Sequence, residues 1–211
     1  MARTSRAEKA RTRQRLVATA AREFRSRGMA GTSIPRVMER IGLTHGTFYA
    51  HFAGKDALAA DAVGAGLAEV VDGLLGAPVD AAPTRDLPAV IARYLSAEHR
   101  DDVAGGCVLP ALAGEIRREP EQVRRAFTQE LAGYFARLAP LLPGDDADAR
   151  ADHALTLVAG MAGALLLARA VNDPALSDRI LRTCREYYTG AFAPHPDGGT
   201  ASASEEDAER R

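Results

Sequence analysis

The stretch Arg40–Leu58, RIGLTHGTFYAHFAGKDAL, carries the most specific pattern in the chain. It places two Phe and one Tyr within five residues, although the whole chain has only six Phe, five Tyr and no Trp. Gly42 suits a left-handed turn, and Thr44 can cap a short helix that continues to about Phe52. On that helix Phe48 and Phe52 lie four residues apart on one face, so we expect both rings to anchor a small core.

The residues before this stretch have the pattern of two further helices. Ser33 can cap the segment that begins TSIPRVMERI, and Pro35 is tolerated in its first turn. An amphipathic helix from about Lys9 to Arg27 precedes it, with apolar residues recurring every four positions. A helix, a four-residue turn with Gly and a second helix form a helix-turn-helix motif.

The outer face of the second motif helix is small and polar, as entry into a major groove about 12 Å wide requires. Gly46 allows close approach to DNA, and Thr47 offers a hydroxyl and a methyl group. Tyr49 and His51 can donate hydrogen bonds to phosphates. His45 completes the outer surface.

The run T-S-I-x-x-V-x-x-x-I-G-L-T-x-G-T-F-Y-x-H-F-x-x-K-D-x-L, residues 32–58, resembles the DNA-binding signature of the TetR family of transcriptional regulators. The resemblance implies an N-terminal DNA-binding unit followed by a helical domain for ligand binding and dimerisation. It also implies that Thr44, His45, Thr47, Tyr49 and His51 face DNA, with Ser33 and Lys55 at phosphates. Pro35 and Arg36 depart from the polar or acidic pair that the family often has there. Gly46 and Arg36 complete the candidate DNA-binding residues.

Charge is distributed unevenly along the chain. Residues 1–55 hold 12 Lys and Arg against three Glu, whereas the remainder is net acidic and the whole chain has a net charge of −1. A basic N-terminal segment favours a polyanionic partner, which we expect to be double-stranded DNA.

Composition excludes several other classes of protein. Ala and Leu dominate, which favours an all-α fold of about nine helices. The two Cys form no disulfide framework, and the five His lack metal-ligand spacing, so we expect no metal or cofactor. No catalytic constellation is evident, so the chain is not predicted to be an enzyme. The apolar run Ala154–Ala168 is 15 residues long, too short to span a membrane, and we expect a cytoplasmic protein.

We expect three regions: an arm and DNA-binding domain in residues 1–54, an effector-binding and dimerisation domain in 55–193, and a disordered tail in 194–211. The helix at 154–171 is apolar around most of its circumference, which indicates either an ordinary core helix or a homodimer interface. Together with the following helix it would form a four-helix bundle with the partner chain. The candidate interface residues are Leu157, Met161, Leu165, Leu166, Ile180, Cys184 and Tyr188.

The segment GGCVLPALAGEI suggests a pocket for an unknown small-molecule effector. Cys107 is either a packing residue or a reactive thiol, whose pKa a helix N-terminus would lower. The candidate pocket residues are Tyr94, Cys107, Leu112, Phe127, Tyr134 and Met161. The resemblance implies a repressor that binds a palindromic operator as a dimer and is released by this effector. Redox sensing through Cys107, or DNA binding without an effector, are the alternatives.

Overall fold

The protein is described by a computed structural model that covers residues 6–76 and 86–193. These residues form ten α-helices and one 3₁₀ turn, without strands, which confirms the all-α prediction. The helices are α1 Arg6–Arg27, α2 Ile34–Arg40, α3 His45–Phe48, α4 Lys55–Leu75, α5 Leu87–Tyr94, α6 Ala97–Asp101, α7 Val108–Ile116, α8 Glu121–Leu138, α9 Ala147–Ala170 and α10 Pro174–Ala191, with the 3₁₀ turn at Ala139–Leu141. The predicted tail at 194–211 lies outside the described residues.

Helices α1 to α3 form the predicted helix-turn-helix unit. Gly42 has a φ of 68°, the left-handed conformation that favours glycine, and it lets the chain reverse between α2 and α3. Phe48 and Phe52 are 0% and 4% exposed, and their rings stack with centroids 5.7 Å apart. The helix itself is shorter than predicted: α3 ends at Phe48, and turns carry the chain on to Phe52. The Phe52 N–H still donates to the Phe48 carbonyl at 3.1 Å, which keeps both rings on one face.

The sequence pattern after Pro88 predicts one helix to about His99, but the structure has two helices there, α5 and α6, which accounts for one more helix than expected. Ser96 starts the second one, because its hydroxyl accepts a hydrogen bond from the His99 N–H at 3.1 Å. The His99 ring Nδ1 then contacts the Tyr94 carbonyl at 2.7 Å. The break therefore satisfies a carbonyl at the end of α5 that has no partner within that helix.

Helix α4 joins the N-terminal unit to the remainder by packing against α1 on one side and α8 on the other. One buried apolar cluster runs through both parts, from Leu16 in α1 to Leu181 in α10.

Helix α9 is 24 residues long, so the expectation that this region is too short to span a membrane does not hold for the helix as a whole. By length and composition α9 could cross a membrane. It packs against α7, α8 and α10, however, and Leu157, Met161 and Leu165 are 0% exposed. These contacts are those of a core helix.

Candidate functional site

The outer face of α3 is open and polar. Thr44, His45 and Gly46 are exposed, and Tyr49 is 59% exposed. The hydroxyls of Thr44 and Thr47 are hydrogen-bonded to each other at 3.1 Å. A Cβ added at Gly46 would have no atom within 4 Å, so the backbone there can be approached closely from outside. Five of the predicted DNA-binding residues therefore share one accessible surface.

Arg36, another predicted DNA-binding residue, is half-buried and is held against α1 by Glu23. The Glu23 carboxylate accepts from Arg36 Nε at 2.7 Å and pairs with Arg40 Nε at 3.0 Å and Arg27 Nε at 3.3 Å. The bond from Arg36, together with the charges of all three arginines, lowers the pKa of Glu23 despite its burial. Since Glu23 is 8% exposed, it fixes α2 onto α1. In the sequence, Glu23 contributes only to the charge balance of residues 1–55.

Two more predicted DNA-binding residues, Lys55 and Ser33, have partners within the protein, and a third, His51, turns one ring nitrogen inward. Lys55 Nζ donates to the Met29 carbonyl at 2.6 Å, and Ser33 caps α2 by accepting from the Arg36 N–H at 3.4 Å. His51 turns its Nδ1 into the protein, where this atom has no partner among the described residues. Burial and the nearby positive charges of the N-terminal unit lower the pKa of His51.

Arg25 links α1 to the larger helical domain, although it lies off the apolar stripe of the sequence. Arg25 is 3% exposed, and its Nε donates to the Ala104 carbonyl at 2.6 Å. Its Nη1 donates to the Gly66 carbonyl of α4 at 3.3 Å. A second link joins the Met29 N–H to Glu115 Oε2 of α7 at 2.7 Å. Neither contact could be predicted from the apolar periodicity of the sequence, because both join polar groups of distant segments.

The predicted pocket residues lie in the core between α5, α7, α8 and α9. Tyr94, Cys107 and Met161 are 0% exposed, Tyr134 is 1% and Leu112 is 2% exposed, whereas Phe127 is half-buried. Burial raises the pKa of the Cys107 thiol, so the expectation that the helix start lowers this pKa is wrong. The Sγ atom accepts from the Leu109 N–H at 3.4 Å and caps α7 as a packed thiol. Its burial and raised pKa argue against a reactive thiolate.

The predicted interface residues divide into two groups. Leu157, Met161 and Leu165 lie inside the protomer, where they support α9 from within. Ile180, Cys184 and Tyr188 are half-buried, and Leu166 is 51% exposed. Further large apolar side chains, beyond the predicted interface residues, are exposed on α9 and α10: Leu155, Leu167, Leu176 and Tyr187.

Comparison with known proteins places these features in a family. Residues 16–62 match a family profile described as bacterial regulatory proteins, tetR family, and residues 83–184 match one described as tetracyclin repressor-like, C-terminal domain. Comparison with curated proteins gave no match.

Solved structures share the fold. A TetR-family regulator from Cytophaga hutchinsonii is 24% identical with a TM-score of 0.69, and the match covers 89% of this chain and 98% of that one. One from Chloroflexus aurantiacus is 26% identical with a TM-score of 0.66, covering 86% and 96%. The reduced form of NemR from E. coli is 20% identical with a TM-score of 0.67, covering 85% and 95%. TetR-family regulators bind DNA and are not enzymes. The chain belongs to the TetR family of transcriptional regulators.

Proposed function

We propose that this protein is a cytoplasmic repressor that binds a palindromic operator as a homodimer and leaves it when a small molecule binds. The observation that carries the proposal is the polar outer face of α3, exposed beside a basic N-terminal region. We assign residues 1–54 to DNA binding, 55–193 to effector binding and dimerisation, and 194–211 to a tail.

On DNA, Gly46 and Thr47 would approach base edges, and Tyr49 would donate to a phosphate. Thr44 and His45 flank this surface. Lys55 and His51, by contrast, already contact or face the protein interior, and the exposed Ser33 hydroxyl caps α2. Their contribution to phosphates would come from backbone groups or from side-chain rearrangement on binding. Arg36, held by Glu23, would contribute to DNA binding from this fixed position in the first turn of α2.

The homodimer would form through α9 and α10. The exposed Leu166 and Leu167 of α9 and Leu176 of α10 supply apolar surface that water would otherwise cover, and large apolar patches mark association sites. Gly163 would let a partner helix approach closely, because a Cβ there would face open space, with no neighbouring atom within 4 Å. Two helices from each chain would form a four-helix bundle. Recognition helices in such a dimer lie about 34–36 Å apart, one turn of DNA.

Selection of a bound duplex from a random pool, followed by fluorescence anisotropy at increasing salt, tests the proposal. We expect selected sequences with two-fold symmetry and a slope of log K against log salt of about −5 or steeper, as six or more phosphate contacts require. Tyr49→Ala should weaken binding to all duplexes, whereas Thr47→Ala should alter the preferred sequence. Arg118→Ala, which removes an exposed charge from the turn between α7 and α8, serves as the control. A slope near zero would refute DNA binding through phosphates.

A further inference from the structure

Met29, in the connection between α1 and α2, has both of its backbone polar groups bound by charged side chains from other parts of the chain. Its N–H donates to Glu115 Oε2 of α7 at 2.7 Å, and its carbonyl accepts from Lys55 Nζ at 2.6 Å. Met29 is 1% exposed, and Lys55 and Glu115 are half-buried. Hydrogen bonds that involve a charged group are the shorter and stronger ones, so both contacts hold this residue firmly.

The backbone just before Met29 is held as well. The Gly28 N–H donates to the Phe24 carbonyl at 2.8 Å, and the Gly28 carbonyl accepts from the Thr32 hydroxyl at 3.0 Å. Four consecutive backbone groups therefore have partners. Gly28 has a φ of 77°, and a Cβ there would lie 2.7 Å from Glu115 Oε1, so the carboxylate has room beside Met29 because residue 28 has no side chain.

The bond from Lys55 to Met29 closes the segment that contains α2 and α3. Lys55 is the first residue of α4, Met29 precedes α2, and the two are 26 positions apart. The Lys55 ammonium also lies 6.0 Å from the centroid of the Phe24 ring, which is 1% exposed in α1. A cation at this distance from an aromatic face is attracted to it. Lys55 therefore fixes both ends of the helix-turn-helix to α1.

We propose that Lys55 is a positioning residue for DNA binding, whose ammonium stays on the Met29 carbonyl when the protein is on its operator. It sets the placement of α2 and α3, and Glu115 holds the same residue from the larger domain. The sequence resemblance implies a phosphate contact for Lys55, so this assignment gives the side chain a different role. The assignment rests on the proposed function, because it concerns how the same DNA-binding surface is held in place.

The salt dependence of DNA binding separates a positioning residue from a phosphate contact. Lys55→Met keeps most of the length of the side chain and removes the ammonium. We expect the variant, folded by circular dichroism, to bind the selected duplex about tenfold more weakly at every salt concentration, because it loses one hydrogen bond from a charged group. The slope of log K against log salt should stay close to that of the wild type, whereas a lost phosphate contact makes it less steep by about 0.9.

A double-mutant cycle with Glu115→Gln tests whether both side chains act on DNA binding through Met29. Glu115→Gln replaces the charged acceptor by a neutral one of the same shape and should weaken duplex binding by itself. Because Lys55 and Glu115 hold one residue, we expect the double variant to bind about as weakly as Lys55→Met alone. Lys9→Met, which changes an exposed lysine of α1, is the matched control, and its effect should multiply with that of Glu115→Gln.

Acetylation of the wild-type protein tests the contact without any substitution. The chain has only two lysines, Lys9 and Lys55, so mass spectrometry can follow each one separately. In the absence of DNA we expect Lys55 to react at least about tenfold more slowly than the exposed Lys9, because its ammonium is bound to the Met29 carbonyl.

A slope less steep by about 0.9 in Lys55→Met would overturn the proposal, as would wild-type affinity in that variant. Losses from Lys55→Met and Glu115→Gln that multiply, or acetylation of Lys55 as fast as that of Lys9, would also overturn it. In each of these cases a protein that still binds its selected duplex keeps the proposed function. Failure to select any duplex would instead refute that function, and the positioning role with it.

Discussion

Replacing Arg25 by Met should destabilise the protein, because it removes a buried connection between α1 and the larger helical domain. Met keeps most of the length of the side chain but none of its donors. The Ala104 carbonyl, 2.6 Å from Arg25, would lose this donor, whereas the Gly66 carbonyl at 3.3 Å would keep its hydrogen bond within α4. An unsatisfied buried acceptor costs about 1–3 kcal/mol. The pair with Glu69, whose side chain is 62% exposed, adds about 0–1 kcal/mol.

Removal of a desolvated charge offsets part of this loss, since a guanidinium at 1% side-chain exposure is itself costly to bury. We therefore expect a net decrease of about 1–3 kcal/mol in the free energy of unfolding. Urea denaturation followed by circular dichroism measures it, at one fixed protein concentration because dimerisation shifts the midpoint. Arg22→Met, one turn earlier on α1 and exposed, is the control. Equal stabilities of the two variants, within about 0.5 kcal/mol, would refute the reasoning.

Glu23→Gln should weaken operator binding by loosening α2. In the wild type the lowered pKa of Glu23 contributes stability that is present above pH 4.5 and lost on acidification below it, so the variant should show a flatter pH profile of denaturation midpoints. Burial lowers the pKa of His99 below 6.5, so its contribution to stability is present above that pH and lost as the pH falls; His99→Gln should remove this part of the profile. Gly160→Ala should destabilise the protomer by about 1–3 kcal/mol, because its Cβ would overlap the Tyr188 hydroxyl. Gly163→Ala should leave protomer stability unchanged and weaken only the dimer, as sedimentation would show; equal dimer affinity in this variant and wild type would place the interface elsewhere.

Local turn chemistry and periodicity predicted the DNA-binding unit, because there the sequence alone restricts the structure. The left-handed turn at Gly42 and the core position of Phe48 depend on residues only a few positions away. The break between α5 and α6 was missed because Ser96 is acceptable inside a helix as well as at its start. It caps α6 only because His99 can bind the exposed carbonyl behind it.

Burial decided by distant parts of the chain was not predictable in this way. Glu23 and Arg25 both look like surface residues of an amphipathic helix, and their partners come from segments up to 79 residues away. Helix α9 presents the opposite difficulty. Because it is apolar around most of its circumference, its sequence does not indicate which face is buried in the protomer. Leu165 and Leu166 are adjacent and chemically identical, yet one is 0% and the other 51% exposed.

The segment from Ala104 to Glu115 connects the candidate effector site to the DNA-binding unit. The Ala104 carbonyl accepts from Arg25, and the Glu115 carboxylate accepts from the Met29 N–H at 2.7 Å, so both contacts lie where α1 ends and the connection to α2 begins. Gly28 in that connection has a φ of 77°, and a Cβ there would lie 2.7 Å from Glu115 Oε1. The Glu115 carboxylate therefore packs directly against the Gly28 backbone. In the proposed mechanism, a ligand that displaced this segment would shift α2 as well. A coupling of about 1–3 kcal/mol changes operator affinity roughly 5–150-fold, and one hydrogen bond to a charged group contributes about 1.5–3 kcal/mol. If the Glu115 contact were made only in the DNA-bound conformation, its loss alone would fall within that range.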